Sequence, residues 1–221
     1  MSDKSKPDED ATRTSVRPGR PTAVEAHQIG EAIMNAARRL FVTQGFDRTS
    51  MDQVASEAGV SKRTVYSRCG SKADLFLGVA RQLGHETLSE LEAAADPEGT
   101  PYQVLLTLGW QLVAFGLDRD TIAMERMAMD MAQDFPELAK LRREQSRRTV
   151  AVVMRSLAHV NATGAVSPER LNRDAQVFLS MTVMPTLHRA MMQDPSDRAE
   201  TEAVLARAIE IFLHGHTAPA S

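Results

Sequence analysis

Cysteine is almost absent: Cys69 is the single one among 221 residues. That excludes an internal disulfide framework and a zinc site built on paired cysteines, and it fits a reducing, cytoplasmic setting. Long apolar runs are missing too. None approaches the ~18 residues a membrane helix needs, so no membrane partner is expected. The polar, partly acidic stretch Met1–Asp10 has no secretory-leader character. There is no phosphate-binding glycine loop, no nucleophile elbow and no HExxH metal site, which argues against an enzyme; no cofactor and no metal are expected. Strand-like alternation is lacking as well.

What remains is an ordinary globular balance, 43% hydrophobic and 25% charged, with an uneven charge distribution. The formal net charge is −3. From Arg13 to Lys72 there are ten Lys/Arg and five Asp/Glu, a local +5, and the remainder carries −8. A basic N-terminal third on an acidic body suits phosphate tracking by one part of the molecule.

The periodicity is helical throughout. Residues 1–22 carry no apolar period and form a flexible basic arm. From Val24, the residues Ile29, Ile33, Ala37, Leu40 and Phe41 mark one apolar face, and Gly45 is placed to stop that helix. Ser50 caps a helix over 51–58, Gly59 turns the chain, Ser61 caps a helix over 62–68, and Gly70-Ser71 leads into a helix reaching about residue 95. A loop at 96–100 precedes helices expected at 101–117, 119–133, 136–160, 168–193 and 197–214, with a further loop at 160–167.

The most informative segment is Thr49–Phe76. Val54, Ala55, Ala58 and Val65 face inward between two short, steeply crossing helices; Ala55 is small enough for the crossing and Gly59 frees the turn. Lys62, Arg63, Thr64 and Ser67 then point outward from the N-terminal part of the second helix, where hydrogen-bonding side chains enter a major groove. Gly45-Phe46, Thr49, Ala55, Gly59-Val60-Ser61, Tyr66 and Ser71-Lys72, in that order and spacing, resemble the signature of the TetR family of regulators over residues 27–78.

The resemblance implies an all-α fold, with an N-terminal three-helix helix-turn-helix domain (23–71) joined by a connecting helix to a helical ligand-binding and dimerisation domain (72–221). It implies that Thr49 and Ser50 cap the first short helix and touch phosphate, that Ser61, Tyr66 and Lys72 contact phosphate, and that Lys62, Arg63, Thr64 and Ser67 meet bases. Arg63 suits guanine O6 and N7, and Thr64 suits a thymine methyl. Cys69 departs from the family pattern, which usually has a large aromatic there. It reads either as a smaller core side chain or as a redox thiol. Just before the first helix, Arg17-Pro18-Gly19-Arg20-Pro21 resembles the core of an AT-hook, so Arg17 and Arg20 are candidates for the minor groove; the alternative is a basic linker.

In the body, methionines such as Met127, Met181 and Met191 outnumber aromatics. Residues 119–160, with Asp134-Phe135-Pro136-Glu137-Leu138 at the centre, resemble the AefR-like branch of the same family. That implies a pocket among the body helices, for which Trp110, Met127 and Phe178 are candidate lining residues, although such side chains also build ordinary cores. The helices over 168–214 carry apolar faces wide enough to need cover on two sides, and the resemblance implies that they pair as a homodimer, which would set two reading heads ~34–36 Å apart on a pseudo-palindromic double-stranded operator. The reading that follows is a sequence-specific repressor released by a small apolar or amphipathic effector. The alternative is an architectural DNA-binding protein with no effector.

Overall fold

A computed structural model describes residues 22–94, 99–160, 166–194 and 197–216. The described residues form ten helices and no strand: α1 (Ala23–Arg48), α2 (Met51–Glu57), α3 (Lys62–Cys69), α4 (Lys72–Ala94), α5 (Pro101–Gly116), α6 (Arg119–Met131), α7 (Pro136–Val160), α8 (Pro168–Thr182), α9 (Met184–Met191) and α10 (Arg198–His216). The loops expected at 96–100 and 160–167 fall largely outside the described residues.

The helix starts follow side-chain chemistry. Thr22 and Glu25, Ser50 and Gln53, and Thr100 and Gln103 form reciprocal caps, each satisfying two backbone N–H groups that the first turn leaves without a partner. Ser71 and Asp74 make the same exchange at the start of α4. Gly45 interrupts α1 rather than ending it. At φ 84°, ψ 171° it takes a conformation that side-chain-bearing residues avoid, and one more helical turn follows as far as Arg48.

The segment 168–193 is two helices instead of the expected one. Pro185 lacks the N–H that would bond the carbonyl of Met181, so the helix breaks at Val183 and restarts at Met184.

Two cores organise the molecule. The first joins Ile33, Ala37 and Phe41 of α1, Val54 of α2, Val65 of α3 and Phe76 of α4, and it continues into Met124 and Ala128 of α6. Phe41, Phe46 and Phe76 pack with centroids 5.3–5.8 Å apart. The α1–α3 unit is therefore seated on the body through α4 and α6 together. The second core lies among α5, α7, α8 and α10, around Phe178 and Phe212, whose rings meet edge-on at 5.5 Å.

Candidate nucleic-acid interface

The α3 helix presents two unlike faces. Val65 and Cys69 are buried in the first core, while Ser61, Lys62, Arg63, Tyr66 and Ser67 are exposed and Thr64 is half-buried. Residues 62, 63, 66 and 67 share one side because they lie one turn apart. Ser61 caps α3: its hydroxyl accepts from the Thr64 amide at 3.1 Å and lies 2.8 Å from the Thr64 hydroxyl. The Ser67 hydroxyl donates to the Thr64 carbonyl at 2.9 Å. Ser50 caps α2 and is exposed.

The cations on this face are held differently. Lys62 Nζ lies 2.8 Å from a carboxylate oxygen of Asp52 on α2, a hydrogen-bonded pairing that raises its pKa. Any phosphate or base must draw Lys62 away from that acid. Arg63 is exposed and has no hydrogen bond or ion pair among the described residues, so its guanidinium is free to fork onto a base edge.

Two of the expected phosphate contacts are tied to the protein's own backbone. Thr49 is only 2% exposed, and its hydroxyl donates to the Gly45 carbonyl at 2.7 Å. Its proton secures the α1–α2 turn and is not offered to a ligand. Lys72 is half-buried: its ammonium donates to the Phe46 carbonyl at 2.8 Å and lies 4.3 Å from the Phe46 ring centroid. It clamps the same turn. Arg17 and Arg20 lie outside the described residues. Burial pushes the Cys69 thiol pKa up, against the thiolate that redox sensing requires, so its environment fits the core reading.

The three candidate pocket residues also sit elsewhere. Phe178 is fully buried against Phe212 in the second core. Met127 packs on the first core. Trp110 lies under Arg198, whose guanidinium carbon is 5.1 Å from the ring centroid. None lines the two adjoining cavities of about 280 and 160 Å³ in the body, nor a third of about 300 Å³ beside Arg38, Glu86 and Phe115. The adjoining two are bounded by α4, α6 and α7, with Leu112, Phe115, Leu179 and Leu187 closing the larger one.

Sequence reasoning missed Arg38. From α1 it donates to Asp120 of α6 at 2.6 Å and to Glu86 of α4 at 3.0 Å. Burial opposes its charge, but the two carboxylates outweigh that and raise its pKa. An arginine on an otherwise apolar helix face was the only available signal, and its partners lie 48 and 82 residues away.

Known proteins resemble this arrangement. Residues 33–79 match the family model described as bacterial regulatory proteins, tetR family, and residues 103–216 match the model of the AefR-like transcriptional repressor, C-terminal domain. The HTH-type transcriptional regulator AcrR of Shigella flexneri is 34% identical over 88 residues, covering 39% of this chain and 40% of AcrR. The regulator TtgR of Pseudomonas putida is 29% identical over 132 residues, covering 57% of this chain and 61% of TtgR. These matches thus span about half the length of the curated relatives. A crystal structure of a TetR-family regulator from Mesorhizobium loti shares the fold with a TM-score of 0.78, at 24% identity, over 88% of this chain and 98% of that one. These relatives are transcriptional regulators, and no helix among the described residues is long and apolar enough to cross a membrane. With the exposed polar face of α3, its all-helical body and family models matching both parts, the chain belongs to the TetR family of DNA-binding transcriptional regulators, with an AefR-like C-terminal domain.

Proposed function

We infer that this regulator is a repressor that binds its operator as a homodimer and leaves it when a small molecule occupies the body. The carrying observation is the placement of Arg38. Glu86 precedes Thr87 and Asp120 precedes Thr121, and both threonines line both body cavities. Each carboxylate that holds Arg38 is therefore chain-adjacent to a cavity wall. A ligand that spreads α4 from α6 would pull these carboxylates apart and tilt α1, and with it α3. Such a ligand must bind the spread arrangement better than the DNA-bound one.

The reading set is Lys62, Arg63, Thr64 and Ser67 for bases, with Ser50, Ser61 and Tyr66 for the backbone. Arg17 and Arg20 add a minor-groove arm, and Thr49 and Lys72 brace the turn beneath. Dimerisation through 168–214 is supported by side chains that α8 and α10 leave uncovered: Val177 and Ile211 are each 48% exposed although Phe178 and Phe212 beside them are buried. The architectural reading without an effector loses support from the body cavities.

A gel shift tests the proposal, using DNA upstream of the chain's own gene with and without extract of the source cells. The expected result is a retarded complex that a small-molecule fraction of the extract disperses. A complex that no fraction weakens would leave the architectural reading standing.

A further inference from the structure

The two body cavities share seven lining residues, and their chemistry is sorted. Six of the seven are polar: Thr87 of α4, Thr121 and Glu125 of α6, and Arg142, Gln145 and Thr149 of α7. Beyond this waist, the smaller lobe is walled by apolar residues and glycine, and the larger lobe by the same kinds with Ser146 as its one polar member. The cavity system is thus apolar, polar, apolar along its length. Its total size sits near the lower end of the ~300–1,000 Å³ usual for small-molecule sites.

The charge of the waist is balanced. Glu125 and Arg142 are paired with each other across it. A ligand bearing a unit charge can pair only by taking one of them from the other, which leaves either exposed Arg142 or half-buried Glu125 without its partner beside the ligand's apolar groups. A neutral ligand leaves the pair intact. Hydrogen-bonding capacity remains for it. Gln145 donates to the Ala80 carbonyl at 3.1 Å, leaving its amide oxygen as an acceptor. The Thr87 hydroxyl has no partner among the described residues. A Cβ at Gly84 would collide with the Gln145 amide, so α4 and α7 cross closely there and the amide is held in place.

We propose that the effector of this regulator is an uncharged, two-lobed molecule: two apolar groups joined by a short linker that both donates and accepts hydrogen bonds at the Thr87–Gln145 waist. This rests on the body cavities being the effector site. The linker fits the waist because an amide or hydroxylated bridge can satisfy both groups, whereas a hydrocarbon bridge leaves them unpaired once water is displaced.

The test uses four probes of similar shape, measured by calorimetry on the full chain without DNA. Benzanilide has two rings and an amide linker. trans-Stilbene has two rings and no polar linker. Dibenzylamine is a central cation near neutral pH, and N-benzoylbenzenesulfonamide a central anion. Benzanilide is expected to bind at least about tenfold more tightly than each of the others. Thr87→Val and Gln145→Leu are each expected to bring benzanilide down towards stilbene while stilbene itself is unmoved, a ratio that general loss of folding would not produce. Stilbene equal to benzanilide, either charged probe binding tightest, or no binding by any of the four to folded protein would overturn the proposal. A parallel gel shift separates the two readings. Benzanilide that binds without releasing DNA sinks the effector role and leaves the waist chemistry standing. A charged probe that binds best and releases DNA does the reverse.

Discussion

Ile211→Asp is expected to convert the dimer to a monomer and to weaken operator binding by about 10²–10⁴-fold, the range in which a second linked contact contributes. Ile211 and Val204 lie on the partly exposed flank of α10, beside the face on which Leu205, Ile209 and Phe212 are buried against the body. In a two-fold interface each residue is used twice, so one substitution places two carboxylates in an apolar seam. Each must be desolvated without a partner, or the seam must open. The variant should keep its helicity by circular dichroism, because Ile211 is 48% exposed in the single chain. Sedimentation at micromolar concentration is the check. An Ile211→Asp protein that still sediments as a dimer would move the interface away from α10.

Phe178→Ala should cost about 3–5 kcal/mol of stability, the usual penalty for removing a fully buried phenyl ring from a core that cannot collapse around the gap. Phe178 is 0% exposed and meets Phe212 edge-on between α8 and α10. For a chain of this size that corresponds to a melting temperature lower by about 10 °C, at fixed protein concentration because dimerisation makes melting concentration-dependent. A loss below about 1 kcal/mol would fit a pocket wall, not the keystone of a core. The substitution does not touch the Thr87–Gln145 waist, so ligand selectivity should survive it.

The contrast between these residues and the reading helix shows which features a sequence displays. Helix starts were legible because their chemistry is local: Ser50 with Gln53, Ser61 with Thr64, Ser71 with Asp74. The outward face of α3 was legible for the same reason, since Val65 and Cys69 fix which side is buried. The break at Val183 carried a signal in Pro185, masked by the apolar stripe that runs on through both halves. Thr49 and Lys72 turn inward onto the carbonyls of Gly45 and Phe46, and backbone acceptors leave no mark in a sequence. Phe178 could equally have faced a core or a cavity, because an aromatic on an inner helix face suits both. The cavity waist was least visible of all. Thr87, Glu125, Arg142 and Gln145 come from three helices and share no period.

The central claim is that α3 reads DNA sequence through Arg63, and a footprint combined with binding isotherms tests it most directly. On its operator, the wild-type protein should protect two half-sites spaced by about one turn of the duplex, ~34–36 Å apart. Arg63→Ala should lose about 1–3 kcal/mol at one base pair of each half-site and bind a changed pair there as well as the original. Affinity for unrelated DNA should fall much less, because phosphate contacts made by the rest of the face remain. An Arg63→Ala protein with unchanged operator affinity and unchanged preference at every base pair would contradict the assignment of α3 as the reading helix.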